Sequence, residues 1–357
     1  MRDALKNLYS IIKGADAHLR FAFLTGVSKF SKVSLFSGLN NLVDITLDKK
    51  FSAICGYTEQ DLDTVFAHEL DGLDRALVKE WYNGYNWLGE AVYNPFDLLL
   101  LFRDREFRSY WFETGNPSFL IKLLLKREFF LPELSKVYSS DRLLSTFDVD
   151  RIATEALLFQ TGYLTIKAHR FVPGKIEIEL GYPNREVKAA LNECLMDALV
   201  HYEAGLEKSR RRMEEMFLQQ NIQGMGELVK SLFASIPYQW YVNNQIAHYE
   251  GYYASVFYAY FTSMGLDVVA EESSNVGRLD MGLRHGSAVY LFEFKVIEND
   301  AEGTALTQIE QNDYAEKYRG EDVTIYSIGV EFSKAKRQIV TWDWKKENGK
   351  QLTESKT

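Results

Sequence analysis

The chain has 357 residues, of which 46% are hydrophobic and 25% charged, with 23 Gly, 6 Pro and a net charge of −9. This composition is typical of a globular protein of roughly two or three domains and excludes long disordered or collagen-like segments. No run approaches about 18 apolar residues, so the sequence predicts no transmembrane helix, and its start lacks the pattern of a signal peptide. The acidic balance argues against a polybasic membrane binder. Cys55 and Cys194 match no metal-binding spacing, which predicts reduced thiols in a cytoplasmic protein.

Residues 1–48 begin with an apolar helical pattern and continue into a compact apolar stretch at 20–24. A run that is apolar at every position is typical of a strand buried on both faces of a parallel sheet. No second β-α unit precedes this run to supply a neighbouring strand. We therefore expect part of a domain to be missing from this region.

Residues 49–232 are mostly helical in pattern and predict a helical middle domain that ends in a charged connector. One short β pair is predicted at 161–168 and 175–180, around a Pro-Gly turn. Aromatic residues also cluster at glycine-rich corners, as at 81–85. They indicate core packing at tight turns, and stacking on single-stranded bases is the alternative.

Residues 233–349 carry the clearest pattern, and 350–357 follow as a tail. A helix is predicted over 243–264, ending at Gly265, and a second helix over 301–318. Strands are predicted at 267–270, 277–283, 288–296, 323–332 and 338–344. The resulting order is α-β-β-β-α-β with one further strand.

Three polar residues on two consecutive strands suggest chemistry. Glu293 and Lys295 are two residues apart on one strand, so they share a face. A turn at Gly286-Ser287 pairs Glu293 with Asp280, with their Cβ atoms about 5 Å apart. Opposed carboxylates repel unless a cation joins them, and Mg²⁺ binds both while keeping several waters. The lysine can then orient a water or neutralise a phosphate oxygen. The alternative is an exposed hairpin with ordinary surface ion pairs.

Two further residues lie on the helices beside these strands. Glu250 falls on the apolar face of the helix at 243–264, where a carboxylate needs a partner. Gln308 lies on the helix at 301–318, from which it can contact the same site. The alternatives are a helix-edge glutamate that reaches solvent and a plain surface glutamine.

The segments 277–280 and 292–295, followed by a helix with Gln308 and Tyr314, resemble the PD-(D/E)XK nuclease superfamily. The whole chain more closely resembles bacterial proteins that join a predicted AAA-ATPase-like domain to a PD-(D/E)XK nuclease-like domain. The closer resemblance rests on the segments 23–30, 39–42, 81–85, 93–96, 114–117 and 160–164.

The resemblance implies a multi-domain α/β fold. It consists of a truncated P-loop ATPase-like remnant at 1–48 and a mainly helical, lid- or winged-helix-like middle domain at 49–232. A restriction-endonuclease-like domain with α-β-β-β-α-β order follows at 233–349.

The resemblance also implies hydrolysis of phosphodiester bonds by a metal-dependent nuclease. Asp280, Glu293, Lys295 and Gln308 are then the expected catalytic residues, and Asp280, Glu293 and Glu250 the expected ligands of Mg²⁺ or Mn²⁺. The expected partner is nucleic acid, DNA rather than RNA, with no membrane involved. The expected location is the cytoplasm, and a homo-oligomer is compatible with this interpretation.

The sequence departs from the ATPase part of this pattern. It contains no Gly-x-x-x-x-Gly-Lys-Ser/Thr, so the backbone N–H groups that cradle phosphates are missing. We therefore expect no ATP hydrolysis by this chain alone.

The charge of the nuclease-like region is also unusual. Residues 233–349 contain ten Lys and Arg against seventeen Asp and Glu, a net charge of −7, whereas duplex-binding enzymes usually present a basic surface. Two alternatives therefore stay open. One is a non-catalytic binding or regulatory protein that uses the nuclease fold as a scaffold, and the other is the nuclease half of an ATP-dependent machine.

Overall fold

The computed structural model describes residues 7, 10–12, 14–26, 43–114, 117–127, 129–144, 152–200, 203–236, 250–273, 278–299 and 301–349. Compactness divides the chain into two units. The first unit is Met1–Asn116 with Glu133–Lys188, and the second is Pro117–Pro132 with Ala189–Thr357. The domain boundaries at 48, 232 and 349 stay a prediction.

In chain order the α-helices are α1 (Glu59–Thr64), α2 (Arg75–Tyr82), α3 (Pro95–Asp104), α4 (Trp111–Thr114), α5 (Ser118–Lys126), α6 (Asp141–Leu144), α7 (Thr154–Gln160), α8 (Arg185–Val200), α9 (Glu203–Gln219), α10 (Ile222–Ala234), α11 (Glu250–Ser263) and α12 (Thr304–Gln311). The strands are β1 (Val137–Ser140), β2 (Thr165–Val172), β3 (Lys175–Gly181), β4 (Asp267–Ser273), β5 (Arg278–His285), β6 (Ala288–Ile297), β7 (Thr324–Ser333) and β8 (Gln338–Asn348). Short 3₁₀ helices lie at Asp16–His18, Lys49–Phe51, Leu131–Ser135 and Tyr314–Tyr318. The predicted mixed α/β character, with a helical region before a final sheet, is confirmed.

The first unit contains an antiparallel sheet with the strand order β1-β3-β2. Val172 of β2 pairs with Lys175 of β3 across a turn in which Gly174 has a φ of 85°. The predicted β pair and its turn are therefore confirmed, but the first strand covers Thr165–Val172 and not 161–168. The sequence did not predict β1, which is only four residues long and ends in two serines.

The aromatic corners of the first unit form its core. Tyr82, Tyr93 and Tyr110 are fully buried and pack with Leu98 and Leu101 of α3. Because these tyrosine rings are covered by other side chains, they are not available for stacking on bases. Packing is therefore the interpretation that the structure supports for this part of the corner sequences.

The predicted strand at 20–24 is wrong over the described residues. Residues 21–26 have no regular secondary structure, and Phe21 and Phe23 are 80% and 48% exposed. A strand needs hydrogen-bonding partners on its edges. None of the described strands pairs with this segment.

The second unit contains a mixed sheet with the strand order β4-β5-β6-β7-β8. Only the β6–β7 pair within this sheet is parallel. With α11 before the sheet and α12 between β6 and β7, the observed order matches the predicted order α-β-β-β-α-β plus one strand.

The alternation of β6 sends its side chains to two different layers. Phe294 packs against Phe257 of α11, with ring centroids 4.7 Å apart. Leu291 packs on the other face, in a cluster with Ile309 of α12 and Tyr314. Residues with odd numbers in this part of β6 therefore face α12, and Glu293 is one of them.

The predicted helix at 301–318 is shorter than expected. It ends at Gln311, and a separate 3₁₀ helix follows from Tyr314. The interruption lies at Asp313, which adopts a left-handed conformation with a φ of 44°. At the other predicted helix end, Gly265 does follow α11 with a positive φ of 76°. None of the described helices has the length and apolar character needed to cross a membrane.

Candidate metal-binding active site

The site is built on the hairpin of β5 and β6. The strands pair from Met281↔Phe292 to His285↔Ala288, which leaves Gly286-Ser287 as the turn. Gly286 has a φ of 57°, a conformation that glycine adopts without strain. The predicted register is therefore confirmed over the paired positions, and Asp280 and Glu293 lie one position beyond the last pair.

The carboxylate of Asp280 is fixed to the neighbouring strand. Its Oδ2 accepts a hydrogen bond of 2.8 Å from the backbone N–H of Phe294. This bond holds the half-buried carboxylate beside the peptide that follows Glu293. The two acidic side chains of the hairpin are thus brought together, as their predicted pairing requires.

Glu293 is deeply buried, with only 1% of its surface exposed. Its Oε1 accepts hydrogen bonds from Lys295 Nζ, at 3.3 Å, and from Gln308 Nε2. Its Oε2 is buried and has no hydrogen-bond partner among the described residues. Burial and the nearby negative charge of Asp280 raise the pKa of Glu293 to about 7, although Lys295 opposes this effect.

Gln308 reaches Glu293 because α12 packs closely on the sheet. Glu293 lies beside Gly329 in the parallel β6–β7 pair. A Cβ atom added at Gly329 would lie 2.3 Å from the backbone nitrogen of Leu306, so only glycine permits this approach of helix and strand. The absence of a side chain at Gly329 therefore brings the helix, and with it Gln308, over the site.

The fifth predicted residue is only partly placed. Glu250 is the first residue of α11, but its side chain lies outside the described residues. Its role as a metal ligand stays a prediction. Within the described ranges, no group of three or more His, Cys, Asp or Glu side chains is placed to hold a metal ion.

The residues present fit a divalent cation of the magnesium type. Mg²⁺ is usually held by one or two carboxylates, and waters and substrate phosphates complete its coordination. Asp280 and Glu293 provide two carboxylates, and the buried Oε2 of Glu293 is an acceptor that lacks a partner in this part of the structure. A cation beside this oxygen would remove the cost of leaving it unsatisfied.

Sequence reasoning missed Glu331, a fully buried carboxylate on β7. It accepts hydrogen bonds from the backbone N–H groups of Glu302 and Thr304, and from the hydroxyls of Thr304 and Thr341. Burial alone would raise the pKa of Glu331, but these backbone donors hold it below its ordinary value. The available signal was an acidic residue inside the apolar strand sequence Ile-Gly-Val-Glu-Phe at 328–332.

Sequence reasoning also missed a buried carboxyl pair in the first unit. Asp97 of α3 and Glu186 of α8 are both fully buried, and the negative charge of Asp97 acts on Glu186. The backbone N–H of Trp111 donates to Glu186 Oε1 at 2.9 Å. Burial raises the pKa of both carboxyls. The signal was an acidic residue in the apolar run Phe-Asp-Leu-Leu-Leu-Leu-Phe at 96–102.

Comparison with known proteins gives two family matches. Residues 248–342 match the PD-(D/E)XK nuclease superfamily, and residues 1–36 match the predicted AAA-ATPase family. The first match contains the whole hairpin, α12 and Glu331. No solved structure matches the chain.

The chain is also similar to a protein from Azotobacter chroococcum mcd 1, described as "Uncharacterized protein in vnfD 5'region". The two are 55% identical over 340 residues, which covers 95% of this chain and 66% of the relative. The chain thus spans just under two thirds of the length of this relative. From these matches, the chain carries a PD-(D/E)XK nuclease superfamily domain at its carboxyl-terminal end and a short AAA-ATPase-like match at its amino-terminal end.

Proposed function

We propose that this protein hydrolyses phosphodiester bonds of nucleic acid at the Asp280–Glu293 site, with Mg²⁺ or Mn²⁺ as cofactor. The observation that carries the proposal is the buried Oε2 of Glu293, which lacks a partner in the described structure and lies on the hairpin that carries Asp280. A nuclease superfamily match over the same residues supports it. DNA is the first substrate to test.

Asp280 and Glu293 would hold the ion, with Glu250 as a further ligand. A divalent ion in such a site polarises the phosphoryl group and offsets negative charge. The raised pKa of Glu293 adds a pH dependence, because the protonated carboxyl must lose its proton before it can bind a cation. Metal binding should therefore weaken as the pH falls below about 7.

Lys295 is suited to contact both the attacking water and the phosphate. Its side chain is 25% exposed, and its amine lies 3.3 Å from Glu293 Oε1. An ammonium at this position can donate to a non-bridging phosphate oxygen and orient a water beside it. Gln308 donates to the same Oε1, which leaves Oε2 as the oxygen available for a cation.

A second candidate function is a non-catalytic scaffold, which the charge of this region favours. Residues 233–349 have a net charge of −7. Several of the basic residues there are paired with acids, as in Arg284–Glu321 and Lys334–Glu298. Such a surface offers little general attraction for a duplex backbone. A scaffold would keep the fold without binding metal at the hairpin.

The experiment that separates these functions measures metal-dependent stability and cleavage together. Mg²⁺ or Mn²⁺ should raise the melting temperature of the wild-type chain, because a ligand that binds only the folded state stabilises it. Asp280→Asn should abolish this increase and leave the metal-free fold intact. The matched control is Asp343→Asn, which removes an exposed carboxylate from β8 of the same sheet and should keep the response.

Lys295→Ala should behave differently from the ligand variants. It should keep the metal-induced increase but lose cleavage of a labelled oligonucleotide, because the lysine acts on water and phosphate. If neither metal changes the melting temperature of the wild-type chain, the result would favour the non-catalytic scaffold function. Wild-type cleavage rates in Asp280→Asn, Glu293→Gln and Lys295→Ala would instead place the activity elsewhere.

A further inference from the structure

We propose that Glu331 is a positioning residue of this site, which holds the start of α12 and thereby places Gln308 against Glu293. The inference rests on the nuclease function proposed above. Glu331 itself need not touch metal or substrate, because all of its observed hydrogen bonds are to residues of α12, the segment before it and β8.

Glu331 replaces a cap that α12 lacks. The residue before the helix is Gly303, which has no side chain and makes no capping hydrogen bond. Glu331 Oε1 accepts from the N–H of Thr304 at 2.6 Å and from that of Ala305 at 3.4 Å, and Oε2 accepts from the N–H of Glu302 at 2.8 Å. A carboxylate at this end of a helix satisfies otherwise unpaired donors and complements the helix dipole.

The same face of α12 contacts two glutamates on neighbouring strands. Thr304 and Gln308 are four residues apart, so they lie one above the other on the helix. Thr304 Oγ1 donates to Glu331 at 3.0 Å, and Gln308 Nε2 donates to Glu293. β6 and β7 are adjacent parallel strands. One turn of α12 is therefore held by two carboxylates, one from each strand.

The close contact at Gly329 makes this arrangement sensitive to small movements. Leu306, midway between Thr304 and Gln308, has its backbone directly against that glycine. If the first turn of α12 is released, the helix can tilt about this contact and withdraw Gln308. Glu293 would then lose one of its two donors, and its carboxylate would be free to turn away from Asp280. Loss of such supporting contacts typically weakens metal binding by about ten- to a hundred-fold.

The test uses Glu331→Asp, which keeps the negative charge but shortens the side chain by one methylene. The readout is the side-chain amide signal of Gln308 in nuclear magnetic resonance spectra of the metal-free full chain, identified by its absence in Gln308→Ala. In the wild type, this signal should differ from its position in Glu293→Gln, where the carboxylate is gone. In Glu331→Asp it should move toward that second position.

Two metal-binding measurements complete the experiment. Calorimetric Mn²⁺ affinity should fall about ten- to a hundred-fold in Glu331→Asp. A double variant, Glu331→Asp with Gln308→Ala, should bind Mn²⁺ as Gln308→Ala does, because residues that act through one contact are not additive. If the effects of the two substitutions on Mn²⁺ affinity simply add, Glu331 does not act through Gln308.

A second pair of variants with smaller changes keeps the test valid if Glu331→Asp does not fold. Thr304→Val removes the hydroxyl that bonds Glu331, whereas Thr307→Val removes an exposed hydroxyl that bonds only the carbonyl of Gly303. Only Thr304→Val should move the Gln308 signal. An unchanged Gln308 signal in both Glu331→Asp and Thr304→Val would overturn the proposal. Failure of the nuclease function would appear separately, as a wild-type chain that neither binds Mn²⁺ nor cleaves, and the metal-free spectra would still decide the role of Glu331.

Discussion

Asp97 and Glu186 are two acidic residues in the interior of the first unit, where water cannot solvate a pair of charges. Both are fully buried, and burial together with the repulsion between two negative charges favours a state in which at least one of them carries a proton. Burial raises the pKa of Glu186 well above its ordinary value of 4.5, and Asp97 raises it further. A group with a raised folded-state pKa stabilises the protein at low pH, and this stability is lost as the pH rises through the folded-state pKa.

We predict that Glu186→Gln will stabilise the first unit at alkaline pH. The amide can donate to Asp97 and accept from the N–H of Trp111, so it reproduces the protonated glutamic acid at every pH. The wild-type melting temperature should decline between about pH 5 and about pH 9, and the decline should be smaller in the variant. Thermal unfolding followed by circular dichroism across this range measures the difference.

The control is Glu90→Gln, which changes an exposed glutamate of the same unit. It should follow the wild-type pH dependence. If Glu186→Gln also follows the wild-type curve, the carboxyl pair does not hold the proton that its burial implies.

At the level of single residues, the sequence was sufficient to predict some residues of the site but not others. Asp280, Glu293 and Lys295 could be grouped because strand alternation and a glycine turn determine which side chains share a face. Glu331 could not be connected to Gln308 in this way. Its partners on α12 and in the segment before that helix lie 26 to 29 residues earlier in the chain, and their proximity depends on how α12 packs on β7.

The packing of α12 on β7 gives a prediction at the level of elements. Gly329→Ala should destabilise the second unit by about 1–3 kcal/mol, because the new methyl group meets the backbone of Leu306 and overpacking costs this much. It should also weaken the metal-induced increase in melting temperature, since the helix must move away from Glu293. Urea unfolding with and without Mn²⁺ measures both effects.

Gly320→Ala is the matched control, because a Cβ atom there has no neighbour within 4 Å. It should leave both measurements close to the wild type. Equal stability and an equal metal response in Gly329→Ala and Gly320→Ala would show that the helix and strand do not need this close approach.

Elements were predictable where local pattern and tertiary contacts agree. In the second unit the strands lie where the pattern of apolar residues predicts them, and the order of strands and helices is the predicted one. The strand at 20–24 was predicted from apolar content alone, and apolar content does not supply hydrogen-bonding partners. The helix at 301–318 was interrupted by Asp313, whose bonds to Arg319 depend on a fold that the helical period does not encode.

At the scale of the whole chain, the match of residues 1–36 to the predicted AAA-ATPase family raises the question of nucleotide binding. We predict that this chain does not bind ATP with micromolar affinity, because its sequence has no glycine-rich phosphate loop. Calorimetric titration with ATP and Mg²⁺ tests this directly. Micromolar binding that disappears in Lys29→Ala would refute it.

The parallel pairing of β6 with β7 has a consequence for how the candidate site is assembled during folding. The hairpin of β5 and β6 can form early, because its residues are close in sequence and a short loop closes at small entropic cost. The β6–β7 pair joins residues 36 apart, as in Glu293↔Gly329, and we therefore expect it to form later. A growing or partly folded chain would thus present the acidic pair before α12 and Glu331 are in place. The candidate site would be complete only once the final strands have docked.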